Sequence, residues 1–133
     1  MFNWKKPTVE MLGRWQPWHD GHTELFKRAL GKTGQVCIMY RDVGGVNAGL
    51  DGQGDNPFQF EEVKKNIMNG LSPHGFHEGV EYVILKVPNI VDISYGRGVG
   101  YSFTEHDLGE KIHKISATNI RKEMRRKGEL NEK

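Results

Sequence analysis

Apolar and polar positions follow two alternating periods along this chain of 133 residues. A short, partly β-branched run from Thr8 to Leu12 is cut off by Gly13, which predicts a first strand feeding a loop. From Gly21 the period lengthens. His22, Leu25, Phe26, Ala29 and Leu30 recur at the spacing of one helix face, with Gly31 and Gly34 as stop signals. The nearly continuous apolar run Gln35–Asp42 predicts a strand covered on both faces, as in a parallel sheet. Val43–Pro57 is glycine-rich with few large apolar side chains, the composition of a long loop that acts as a lid. A second helical face follows in Phe60, Val63, Ile67, Met68 and Leu71, ending at Ser72-Pro73-His74-Gly75. Val80–Pro88 predicts a third strand and Ile90–Tyr95 a fourth. A short strand near Ile112–Ile115 and a last helix over Thr118–Lys127, stopped by Gly128, complete the pattern. Strand and helix alternate from the start, which predicts an α/β protein with a mostly parallel sheet and right-handed crossovers. Ligands of such sheets bind at the carboxyl ends of the strands, so the loop after the first strand is the place to look.

Length adds that residues 1–133 make one domain, because two ordinary domains do not fit. A formal charge of +2 is too small for nucleic-acid binding as a property of the whole chain, so any basic function is local. A single cysteine, Cys37, excludes an internal disulfide, and its apolar neighbours predict a buried thiol. No apolar run approaches the ~18 residues of a membrane span, and no leader pattern opens the chain, so a cytoplasmic location without a membrane partner is expected. The sequence leaves homo-oligomerisation open.

The chemistry concentrates in Gly13–His22, "GRWQPWHDGH". A strand, a tight turn and a helix starting near Gly21 would aim free helix N–H groups and the positive dipole end at a ligand, which suits phosphate. Gly21 allows close approach of the backbone, His19 and His22 offer ring N–H donors, Pro17 stiffens the turn and Arg14 adds a permanent charge. Two other readings of the pair stay open, a metal site and a structural role. No third ligand stands at a recognisable spacing, so no metal ligand is assigned. Near the other end, "ISATNIRKEMRRK" (Ile115–Lys127) places Ser116 and Thr118 as caps of a helix whose polar face carries Arg121 and Arg125. Two hydroxyls and an arginine in one turn can bind outer phosphates, and a capped, solvated basic helix has the same pattern.

Together, "GRWQPWHDGH" and "ISATNIR" resemble the paired signatures of the HxGH nucleotidylyltransferase superfamily, closest in motif to the nicotinamide mononucleotide-type adenylyltransferases. Trp15 stands where that branch usually has Phe, and Asn56-Pro57-Phe58 resembles its lead-in to the second helix. The resemblance implies a single-domain Rossmann-like fold with a five-stranded, mostly parallel sheet and helices on both faces. It implies a Mg²⁺-dependent transfer of a nucleotidyl group, AMP favoured, from ATP to a small phosphorylated acceptor with release of pyrophosphate. His19, His22 and Arg121 would act on the triphosphate. Gly13, Arg14, Trp15, Gln16 and Gly21 would line the nucleotide, and Ser116 and Thr118 would hold outer phosphates. The alternatives are a CTP-dependent cytidylyltransferase of the glycerol-3-phosphate type, whose Gly-Thr-Phe-Asp opening this chain lacks, and a nucleotide-binding sensor without chemistry. "YGRGVGY" (Tyr95–Tyr101) matches neither branch; Arg97 there, with Arg41 and Asp42, is the candidate set for acceptor recognition.

Overall fold

The computed structural model describes residues 1–43, 56–97, 100, 102–106 and 108. They form β1 (Val9–Gly13), α1 (Asp20–Thr33), β2 (Val36–Arg41), α2 (Phe60–Leu71), a 3₁₀ turn at Ser72–His74 and β3 (Tyr82–Val87). The protein is mixed α/β. Its three strands are parallel in the order β1-β2-β3, in a register that sets Met11 beside Ile38 and Ile38 beside Ile84.

Both crossovers step one strand in the same direction, so right-handed connections put α1 and α2 on one face of the sheet, where they pack against each other. That face supplies Met11, Val36, Ile38, Tyr40, Tyr82 and Ile84 to one core with Phe26 and Ala29 of α1 and Val63, Ile67 and Leu71 of α2. The opposite face carries Leu12, Met39 and Leu85 side by side, each partly buried. Helices on both faces were expected; among the described residues both helices lie on one.

The helix ends follow local chemistry. Helix α1 runs through Gly31 and stops at Gly34, whose φ of 85° lets its N–H reach the Leu30 carbonyl at 2.7 Å. Of the two expected stops, only the glycine that takes the left-handed conformation ends the helix. Helix α2 begins at Gln59, whose N–H is met by the Glu62 carboxylate, and gives way to the 3₁₀ turn before Gly75. Cys37 is buried, with its thiol pushed up by burial and by Glu10 beside it on the strand face.

The fifth strand and the fourth are not found among the described residues, which form a three-stranded sheet. Ile90–Tyr95 was expected as a strand and pairs with none; Val91 is 83% exposed and Ile93 52%. Pro88 ends the β3 ladder by lacking an N–H, and alternating β-branched residues make a strand only where an edge and a cover receive them. The expected strand near Ile112–Ile115, the helix over Thr118–Lys127 and most of the Val43–Pro57 loop lie outside the described residues.

Two glycines in helices have opposite surroundings. A Cβ on Gly70 would stand 2.7 Å from Trp18 Cδ1 and 3.0 Å from its Nε1, while one on Gly31 meets nothing within 4 Å. Gly31→Ala should therefore stabilise by about 0.5–1 kcal/mol through the unfolded chain. Gly70→Ala should destabilise by roughly 1–2 kcal/mol, overpacking outweighing helix propensity. Urea unfolding of both variants reads the two signs, and equal effects would show that Trp18 does not press on α2.

Candidate functional site

The site is built where β1 ends. Gly13 is the last residue of β1, and a Cβ there would lie 2.7 Å from the indole of Trp15. Trp15 takes a φ of 52°, unusual for a bulky residue, and this folds its ring back over the strand end. The indole N–H then donates to the Met39 carbonyl of β2 at 3.1 Å. Gly13 is thus required by the ring packed on it.

The next residues brace the loop from the other side. Gln16 is 2% exposed, its peptide bond to Pro17 is cis, and its amide pairs with the backbone of Phe58 in both senses. The side-chain Nε2 donates to Phe58 O at 3.0 Å, and Phe58 N–H donates to Oε1 at 2.9 Å. Arg14 donates to Asn56 Oδ1 at 3.1 Å. Trp18 donates to Thr23 Oγ1 at 2.8 Å and presses on Gly70 of α2. Side chains of this loop therefore tie it to β2, to α2 and to the segment 56–58.

The two histidines form a reciprocal cap at the start of α1. His19 is the N-cap, with Nδ1 accepting the Gly21 N–H at 3.1 Å, while His22 Nδ1 accepts the His19 N–H at 3.1 Å. This is a capping box with imidazoles in place of the usual hydroxyl and carboxylate. It has two consequences. An Nδ1 that accepts a hydrogen bond carries no proton, so each neutral ring holds its proton on Nε2. The box also occupies the backbone N–H groups of Gly21 and His22, so these are not the free donors the sequence led us to expect. Gly21 itself is buried. Histidine rings cover the helix start where bare backbone N–H groups were expected.

The rings stack on each other, centroids 3.7 Å apart and 21° from parallel, and Trp15 and Trp18 close around His22 at 4.8 and 5.4 Å. Burial, then the neighbouring His19, holds His22 down to about 3. Burial lowers His19 as well, with Asp20 opposing. Both rings are neutral near pH 7. What they offer is a pair of uncharged N–H donors at the positive end of a helix, a suitable match for phosphate oxygen and for charge that grows on it.

The remaining expected residues are placed differently. Arg41 ends β2 on the face away from α1 by strand alternation, with Nη1 3.4 Å from the Ile90 carbonyl and Nε buried without a partner among the described residues. Asp42 is exposed, its N–H bound to Val87 O, and Arg97 is exposed in a bend. Among the described residues no hydrogen bond or ion pair joins these three to one another or to the histidines. Ser116, Thr118 and Arg121 lie outside the described residues. Two residues absent from the expected site, Asn56 and Phe58, hold it in place; the sequence signal for Asn56 was a polar residue beside Pro57 at the end of a glycine-rich loop. Among the described residues no group of three His, Cys, Asp or Glu side chains is placed to hold a metal ion, and no helix is long and apolar enough to cross a membrane. No family model matches the chain, and no curated protein does.

The cap makes stability depend on acid. As pH falls below 6.5 the unfolded chain takes up protons that the folded histidines refuse, so stability is lost from about 6.5 downward and levels off below about 3, the value of His22. Urea midpoints measured at pH 8, 6 and 4.5 should fall in that order. His22→Gln, whose carbonyl can still accept the His19 N–H, should flatten the fall; a slope equal to that of the parent would show that His22 does not carry it.

Proposed function

We propose that the protein is a nucleotidyltransferase of the HxGH type, transferring a nucleotidyl group, AMP favoured, from a nucleoside triphosphate to a phosphorylated acceptor in the cytoplasm. The observation that carries this is the reciprocal His19–His22 cap, which leaves two stacked, neutral imidazoles with Nε2–H donors at the carboxyl end of β1. The parallel β1-α1-β2-α2-β3 unit is the arrangement of half a Rossmann-like domain.

In the proposed reaction an acceptor phosphate oxygen attacks the α-phosphorus in line. A new P–O bond forms, the bond to the β-phosphate oxygen breaks, and pyrophosphate takes the electron pair. His19 and His22 donate to the phosphate oxygens as charge moves onto them. Ser116, Thr118 and Arg121 would hold the outer phosphates, a role that rests on the motif resemblance. Mg²⁺ takes oxygen ligands, to which two imidazoles are poorly suited, so the triphosphate and water rather than the histidines would hold the ion. Catalysis is then positioning and electrostatics.

Incubation with ATP or CTP, Mg²⁺ and a panel of phosphorylated acceptors should release pyrophosphate. His22→Ala should lower turnover by ~10² or more, since one lost donor of this kind costs roughly 3–4 kcal/mol, while circular dichroism reports an intact fold. Triphosphate binding without pyrophosphate release across the panel would instead identify a sensor, and selective use of CTP a cytidylyltransferase.

A further inference from the structure

The strand β3 reads Tyr-Val-Ile-Leu-Lys-Val, and alternation puts Tyr82, Ile84 and Lys86 on the helix-covered face. Tyr82 and Ile84 are core residues; Lys86, the third, is exposed. The register sets Gly13, Tyr40 and Lys86 side by side across the carboxyl end of the sheet. Tyr40 is fully buried and stacks on Phe60, the first residue of α2, at 5.6 Å and 26°. The Lys86 ammonium lies over the same ring, 5.9 Å from its centroid. The ammonium therefore stands at the start of α2, over its first residue.

Among the described residues the ammonium has no carboxylate partner; the ion pair found there joins Lys64 and Glu78. Two strand spacings of about 4.8 Å put the Lys86 backbone roughly 10 Å from that of Gly13, so Lys86 shares the carboxyl edge of the sheet with the strand end that leads to the histidines. The sequence nominated Arg41, Asp42 and Arg97 for the acceptor. Arg41 leaves the sheet on the other face, whereas Lys86 stands on the face of the helices.

We infer that Lys86 binds the acceptor's phosphate, held over the Phe60 ring and supported by Tyr40 beneath it. This deepens the transferase reading and rests on it for the identity of the ligand. A phosphorylated acceptor must bring its charge up to a triphosphate, and uncharged donors offset that repulsion less than a cation does. Lys86 supplies a cation at the same end of the sheet, acting on acceptor binding with little effect on the triphosphate.

Inorganic phosphate is the first probe, added to protein carrying ¹³C-labelled lysine, with chloride at equal ionic strength as control. The Lys86 side-chain resonance, identified by its loss in Lys86→Gln, should shift with millimolar phosphate, in wild type and in His22→Gln alike. No shift, or one that chloride reproduces, overturns the inference. In the transfer assay Lys86→Gln should raise the acceptor KM about 10- to 100-fold, the worth of one hydrogen bond to a charged group, with the triphosphate KM within threefold of wild type and Lys86→Arg recovering most of the loss. An unchanged acceptor KM also overturns it. The two readings fail separately. Pyrophosphate release with a silent Lys86 removes the lysine and keeps the transferase, and a phosphate-responsive Lys86 without pyrophosphate release keeps the anion site and removes the transfer.

Discussion

Two ring nitrogens accepting three backbone N–H groups, those of His19, Gly21 and His22, decide what the mouth of this sheet can do. A helix start needs acceptors for its first N–H groups, and serine, threonine, asparagine or aspartate are the usual solutions. Here His19 and His22 cap each other. The tautomer of both rings follows from this, because a capping Nδ1 leaves the proton on Nε2. So does their charge. A proton on Nδ1 would break the cap, and burial, then the neighbouring His19, already hold His22 at about 3.

The cap is useful only if the rings stay where it puts them, and the surrounding contacts supply that restraint. Trp15 crosses from β1 to β2, Trp18 wedges onto α2, and the Gln16 amide fixes the backbone at Phe58. Gln16 and Asn56 are polar and almost fully buried, so each must find hydrogen-bond partners, and those partners lie across the site from one another in sequence. The histidines therefore sit on a loop with the stiffness of a core. Placing the same pair on a free loop would require the ligand to order it, at a cost of about 1–2 kcal/mol per residue fixed.

Much of this was legible in the sequence where a single period or a single residue type decides. The apolar runs located β1, β2, β3 and both helices to within about two residues, because core burial on one face dominates their formation. Gly31 misled as a stop signal because composition does not reveal which glycine takes a positive φ, and Gly34 does. Ile90–Tyr95 misled because β-propensity describes a fit to neighbours and supplies none. At the site, residue types were legible and pairings were not. The spacing of His19 and His22 suggested two donors to phosphate; that each ring caps the other residue's backbone is a local contact in which imidazoles replace the usual capping residue types, and that Gln16 binds Phe58 is a contact across 42 positions. Arg41 looked equivalent to any cation near a strand end, and only strand alternation separates it from Lys86.

Under the proposed transfer, that separation of neutral and charged groups has a consequence for selectivity between states. A cation beside the α-phosphate would attract triphosphate, transition state and departing pyrophosphate alike, and uniform attraction lowers KM without raising turnover. Uncharged donors held in place gain most where charge increases during the reaction, and they release pyrophosphate more readily once it has formed. Permanent charge is then best kept where it assists approach. Arg14, tied to Asn56, follows the end of β1, and Lys86, over Phe60, lies on β3, so the two cations stand at the same carboxyl end of the sheet as the histidine pair. The reciprocal cap thus does more than start a helix: it keeps the two groups nearest the chemistry neutral while leaving the cations at the rim free to be cations.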